Sequence, residues 1–156
     1  MYKDENIFVF DYEFDLNLLL DEMNKLKGQF KSYGDHRGKL DNWLIAHDTS
    51  FDYAKKLCSK FNIVAKPRFY ILKSDTFLPP HKDHGTLCSI NVLLNFKNSA
   101  SVNFNNKKYT YKSCLLNTQN AHSVNNKGCD DRLLFKLSIF NESYKSVSDK
   151  IKKTIG

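Results

Sequence analysis

Between Arg68 and Phe140 the chain divides into short strand-like runs separated by turn signals, and that spacing limits the fold more than any other feature. The runs are Arg68–Lys73, Leu87–Asn95, Ser101–Phe104, Lys107–Tyr111, Ser113–Leu116 and Arg132–Phe140. Asn105-Asn106 reads as a tight hairpin, because Asn tolerates positive φ, and Asn125-Asn126-Lys127-Gly128 reads as a second turn. Many short strands at close spacing predict an antiparallel sandwich or barrel.

The chain before Arg68 has a different character. Ile7-Phe8-Val9-Phe10 is a short apolar strand. Phe14, Leu16, Leu19, Leu20, Met23 and Leu26 then form one helical stripe, with Asp15 as N-cap and Gly28 as the stop. Gln29 to Asp41 reads as a polar loop, and Trp43-Leu44-Ile45 as a short strand. Thr49-Ser50-Phe51-Asp52 resembles a capping box ahead of a second amphipathic helix through Ala54, Leu57, Cys58 and Phe61. The expected architecture is α+β, mainly β, as one domain over residues 1–156. It comprises a helical and strand support over about 1–65, a barrel core over about 66–141 and a basic, solvated tail over about 142–156.

Composition narrows the setting. With 24 Lys+Arg against 17 Asp+Glu the formal charge is +7, a field that attracts anions. The lysines are scattered, so nucleic acid is disfavoured as a partner though the charge leaves it open. Cys58, Cys88, Cys114 and Cys129 show no CxxC spacing and read as free thiols. No apolar run approaches the roughly 18 residues of a membrane span, and the charged start carries no signal-type segment, so a cytoplasmic protein without a membrane partner is expected.

The chemistry concentrates in Leu78-Pro79-Pro80-His81-Lys82-Asp83-His84-Gly85. In an extended chain His81 and Asp83 project to the same side. Pro79 and Pro80 stiffen the approach and Gly85 frees the exit. His122 supplies a second imidazole further on. Two His and one carboxylate form the facial triad of non-haem Fe(II) oxygenases. Arg132, ten residues after His122, opens an apolar strand. It lies on the face of Leu134 and Ser138, opposite Leu133, Phe135, Leu137 and Ile139. An inward guanidinium calls for a carboxylate or phosphate partner.

In this order, His81-Lys82-Asp83 after a Pro-rich loop, Cys88 to Asn95, Asn117-Thr118 before His122, and Arg132, the stretch from about Arg68 to Phe140 resembles the core of Fe(II)/2-oxoglutarate-dependent oxygenases. It is most similar to small prolyl- and aspartyl/asparaginyl-hydroxylase-like members. The resemblance implies a double-stranded β-helix, a cupin-like jelly roll, with the N-terminal helices packed on one side. It implies Fe(II) held by His81, Asp83 and His122, and 2-oxoglutarate held by Arg132, with Tyr70 and Asn91 as further cosubstrate contacts. With dioxygen, such a site hydroxylates an amino-acid, peptide or protein side chain, a prolyl one among the candidates, and converts 2-oxoglutarate to succinate and CO2. His84 and Arg68 are substrate-side candidates, while His36 and His47 read as surface residues. Many family members carry a hydroxyl where Leu134 stands. The substrate would meet the loops Gly28–Asp41, Ser74–Pro80 and Asn95–Ala100. Two other readings stay open: a non-catalytic cupin-like barrel binding an anionic ligand, and a nucleic-acid oxygenase or demethylase.

Overall fold

The computed structural model describes residues 1–35, 38–95 and 100–156, with the backbone alone at 34, 35 and 38–41. Its elements run β1 (Tyr2–Lys3), β2 (Ile7–Val9), α1 (Leu16–Lys25), a 3-10 turn (Lys27–Gln29), β3 (Lys31–Asp35), β4 (Gly38–His47), α2 (Asp52–Phe61) and β5 (Lys66–Leu72). They continue with β6 (Phe77–His81), β7 (Cys88–Leu93), β8 (Ser101–Phe104), β9 (Lys107–Tyr109), β10 (Ser113–Leu116), β11 (His122–Asn125), β12 (Arg132–Ile139) and α3 (Tyr144–Ile155).

Two antiparallel sheets make the jelly roll. The larger has the order β1-β2-β10-β7-β12-β5-β4-β3, and the smaller β6-β11-β8-β9. The larger sheet is covered on both faces, and its central strand β12 shows how the sequence achieves this. Successive side chains alternate between faces. Phe135, Leu137 and Ile139 turn outward onto the helices, joining Leu19 and Met23 of α1, Leu57 and Phe61 of α2, and Val147 and Ile151 of α3 in one core. Leu134 turns inward with Tyr70, Leu72 and Leu116, meeting Leu78, Val102 and Phe104 of the smaller sheet in a second core. The mainly β, double-stranded β-helix reading of the sequence is the fold observed.

Local signals account for most elements. Asp15 caps α1 by accepting from the Leu18 N–H at 3.1 Å. The β8–β9 hairpin turns at Asn105, whose φ is +52°. None of the four cysteines is in a disulfide, and Cys88 and Cys114 are buried. No helix of the described residues is long and apolar enough to cross a membrane.

Four expectations need correction. The polar stretch from Gln29 is largely strand, because β3 and β4 pair as an edge hairpin whose outer edge needs no apolar pattern. Thr49-Ser50 does not cap α2. Phe51 stands at the N-cap without a side-chain hydrogen bond, and the Asp48 carboxylate instead accepts from the Ser50 N–H at 3.2 Å. Phe77–His81 is strand despite Pro79 and Pro80, which is compatible with its place at the edge of the smaller sheet. The basic tail is helix α3, capped by the Ser143 hydroxyl accepting from the Ser146 N–H at 3.2 Å. Its Val147 and Ile151 are fully buried while its lysines face outward, so the charges hid an amphipathic stripe.

Candidate functional site

The smaller sheet brings the two imidazoles together. β6 and β11 pair so that His81 and His122 stand directly opposite each other, with ring centroids 4.4 Å apart. Asp83, just past β6, is tied to the loop before β11 by its N–H donating to the Thr118 carbonyl at 3.2 Å. Thr118 in turn donates its hydroxyl to the Thr86 carbonyl at 2.7 Å. The turn after β6 is thereby stapled to the segment that delivers His122.

Each imidazole is oriented by its own backbone. Nδ1 of His81 lies 2.8 Å from the Pro79 carbonyl oxygen, and Nδ1 of His122 lies 2.8 Å from that of Asn120. A carbonyl only accepts, so both Nδ1 atoms are donors and both Nε2 atoms face the site. Each Nε2 is 3.5 Å from the same oxygen, Oδ1 of Asp83. In neutral rings, that arrangement aims two nitrogen lone pairs and a carboxylate oxygen at one point, which is costly unless a cation sits between them. Three ligand atoms within 4.8 Å of one another, each His held through its second nitrogen, fit a divalent metal ion. Trp43 lies beside the His81 ring, with centroids 5.5 Å apart, and Phe104 lies at the same distance from the His122 ring.

The other oxygen of Asp83, Oδ2, faces Lys136 Nζ at 3.9 Å. Burial acts to raise the Asp83 pKa, but Lys136 foremost, followed by the two imidazoles, outweighs it and holds the carboxyl below the ordinary carboxylate range. The group therefore stays ionised and available as a ligand.

The second half of the site lies along β12 and its neighbours. Arg132 is buried, with Nη1 donating to the Ala100 carbonyl at 3.1 Å and its guanidinium 5.2 Å from the Tyr111 ring centroid. Asn91 on β7 is buried and held on two sides. Its Oδ1 accepts from Ser89 Oγ at 2.8 Å and its Nδ2 donates to Tyr111 Oη at 3.2 Å. Tyr70 on β5 is buried, and burial pushes its hydroxyl pKa up, so it stands as a neutral phenol. His81, His122, Arg132, Tyr70 and Asn91 all line one cavity, with Leu72, Leu78 and Leu116 among its apolar walls.

The structure thus gathers most of the residues singled out from sequence. His84 is exposed and outside the His81–Asp83–His122 cluster. Arg68 is half-buried beside Tyr70 and outside the cavity lining, donating to Tyr70 Oη at 3.5 Å. His47 is exposed as expected, while His36 and most of the Asn95–Ala100 loop lie outside the described residues. Among the charged and aromatic lining residues three were missed: Lys136, Tyr111 and Trp43. Lys136 was within reach, since it sits four positions after Arg132 and period two puts it on the same face. Tyr111 lies in the link between β9 and β10 and Trp43 comes from a distant strand, so no local pattern marks either.

No protein family matches the chain by sequence, and no curated protein does. Solved structures do. A prolyl hydroxylase from Trichoplax adhaerens, in complex with a hypoxia inducible factor oxygen degradation domain peptide fragment, aligns with TM-score 0.65 at 16% identity, covering 91% of this chain and 86% of that one. A Pseudomonas putida prolyl-4-hydroxylase aligns with TM-score 0.67 at 11% identity, covering 87% and 93%. The epimerase SnoN in complex with Fe3+, alpha ketoglutarate and nogalamycin RO aligns with TM-score 0.56 at 12% identity, covering 79% and 73%. At such identities the likeness shows a shared fold.

Proposed function

We propose that this chain is an Fe(II)/2-oxoglutarate-dependent oxygenase that hydroxylates an amino-acid, peptide or protein side chain, releasing succinate and CO2. One observation carries the reading. The Nε2 atoms of His81 and His122 converge on Oδ1 of Asp83, and both imidazoles line a cavity with the buried Arg132. Its fold-mates support it, since two are named as prolyl hydroxylases and one was solved with iron and alpha ketoglutarate. A prolyl side chain is accordingly the first substrate to try.

In this reading His81, Asp83 and His122 hold the metal. When bound, the metal supplies the open coordination positions at which a 2-oxo acid and dioxygen react. The residues do the rest. The carbonyls of Pro79 and Asn120 fix both imidazoles with Nε2 inward. Lys136 draws Oδ2 of Asp83 away, leaving Oδ1 toward the imidazoles. Arg132 offers a planar fork of donors to the distal carboxylate of 2-oxoglutarate, backed by the Tyr111 ring. Asn91 and the neutral Tyr70 hydroxyl add polar contacts, and the leucine walls exclude water.

Anaerobic addition of Fe(II) and 2-oxoglutarate to the purified chain should give a weak visible charge-transfer band. His81→Ala should abolish it, and Arg132→Ala should shift its half-saturation to at least about tenfold higher 2-oxoglutarate. A His81→Ala chain that turns 2-oxoglutarate into succinate as fast as the parent would refute the reading.

A further inference from the structure

The pairing of β5 with β12 sets Arg68 directly opposite Lys136. Like charges facing each other across a sheet repel. Here both also close on one ring. Arg68 Nη1 is 3.5 Å from Tyr70 Oη, and Lys136 Nζ is 4.9 Å from the Tyr70 ring centroid. No ion pair relieves Arg68 among the described residues. Its guanidinium stacks 5.2 Å from the Phe140 ring, and its Nε is buried without a hydrogen-bond partner. A buried guanidinium N–H with no acceptor loses its hydration for no return. Across β5 from Arg68 stands His47, which brings no negative charge. Lys136 has one carboxylate, Asp83, and that group is the one the metal would engage. With Asp83 engaged by a metal, Lys136 and Arg68, with its orphaned donor, would face each other with no anion of their own.

That anion is distinct from the one assigned to Arg132. Lys136 lies four positions after Arg132 on β12, about 13 Å along the strand, and the Arg132 guanidinium lies toward Ala100 and Tyr111. We propose that Arg68 and Lys136 form an anion subsite on the substrate side of the centre, and that the substrate carries a carboxylate. The α-carboxylate of a free amino acid or chain terminus and the side chain of an acidic residue share this chemistry. The substrate assignment rests on the oxygenase reading, whereas the subsite needs only the two cations.

The test uses the full chain, isotopically labelled, loaded with Zn(II) and saturated with 2-oxoglutarate, with the Arg68 Nε–H resonance as reporter. N-acetylglycine is titrated against N-acetylglycinamide, and N-acetylaspartate α-methylamide against its asparagine counterpart. The Arg68 signal should shift saturably with the carboxylates, at least about tenfold tighter than with the matched amides. Whichever carboxylate binds tighter identifies its source. Arg68→Gln, followed by aliphatic shifts near Tyr70, should weaken carboxylate binding by about the same factor. Equal affinity for carboxylate and amide, an unshifted Arg68 resonance, or competitive displacement of the probe by 2-oxoglutarate would each overturn the proposal. The carboxylate–amide comparison stands on the unmutated chain, so a misfolded variant does not rescue the idea. If 2-oxoglutarate fails to bind while the acetylated probes still shift Arg68, the subsite holds and the oxygenase reading falls.

Discussion

The two faces of β12 are made of consecutive residues and do opposite work. Phe135, Leu137 and Ile139 are fully buried against three helices. Arg132, Leu134, Lys136 and Ser138 alternate with them and look into the barrel, where two of the four carry charge. The helix side supplies dry packing. That lets the barrel side tolerate the desolvated cations and the convergent donor set, which would be hard to keep in a chain without a second core. A burial-only view of β12 hides the distinction, because nearly every residue in it is buried.

The largest expected effect breaks the helix side. Phe135→Ala leaves a void among Phe51, Phe69 and the helices, with the Phe69 ring now 5.1 Å from Phe135 and the Phe51 ring 6.1 Å away. It should cost about 3–5 kcal/mol in urea unfolding. Zn(II) affinity of the folded fraction should change little, and a loss as large as that of His81→Ala would show that the faces are not separable.

A smaller effect sharpens the barrel side. Lys136→Met removes the ammonium that competes for Asp83, so Zn(II) measured by calorimetric titration should bind about tenfold tighter. Weaker binding would mean that Lys136 serves chiefly to orient the carboxylate. With the ammonium gone, the Asp83 carboxyl loses the largest influence lowering its pKa. The parent's Asp83 contribution to stability is present above the ordinary aspartate value and is lost as pH falls through its depressed one. In Lys136→Met that loss should be smaller and complete at a higher pH.

The smallest effect returns to the helix side. Cys88 sits in that core, where burial, with Glu142 adding to it, pushes its thiol up to about 12. A thiol that ionises less readily in the folded chain contributes stability that is complete below the ordinary thiol value near 8.5. That contribution is lost as pH rises from there toward 12, by up to about 1.4 kcal/mol per pH unit. Cys88→Ala should flatten this alkaline limb of the unfolding curve in part, since Cys114 is raised by burial as well.

The period-two alternation of β12 was legible, and with it the inward face of Arg132. The His81-x-Asp83 spacing was legible for the same reason. The facing of His81 and His122 was not, because strand register across 41 positions depends on the whole sheet rather than on any local pattern. Lys136 was overlooked although the same alternation names it. The prolines of β6 and the lysines of α3 misled in a common way. Proline disrupts a strand interior and a run of lysines masks an apolar stripe, and here each occupies an exposed edge or face. The β3–β4 hairpin failed for a related reason, as an outer edge strand needs no apolar rhythm.

Edge position gives β6 a consequence beyond its own geometry. An open sheet edge normally offers main-chain donors to any extended segment that comes alongside. Pro79 and Pro80 have no N–H, and they follow one another, so whichever of them faces outward leaves a gap in that row. That gap interrupts the row of donors that a passing peptide would need along the strand that carries His81. On the oxygenase reading proposed above, selection at this mouth would fall to the side chains that line the cavity rather than to a backbone template open to every sequence.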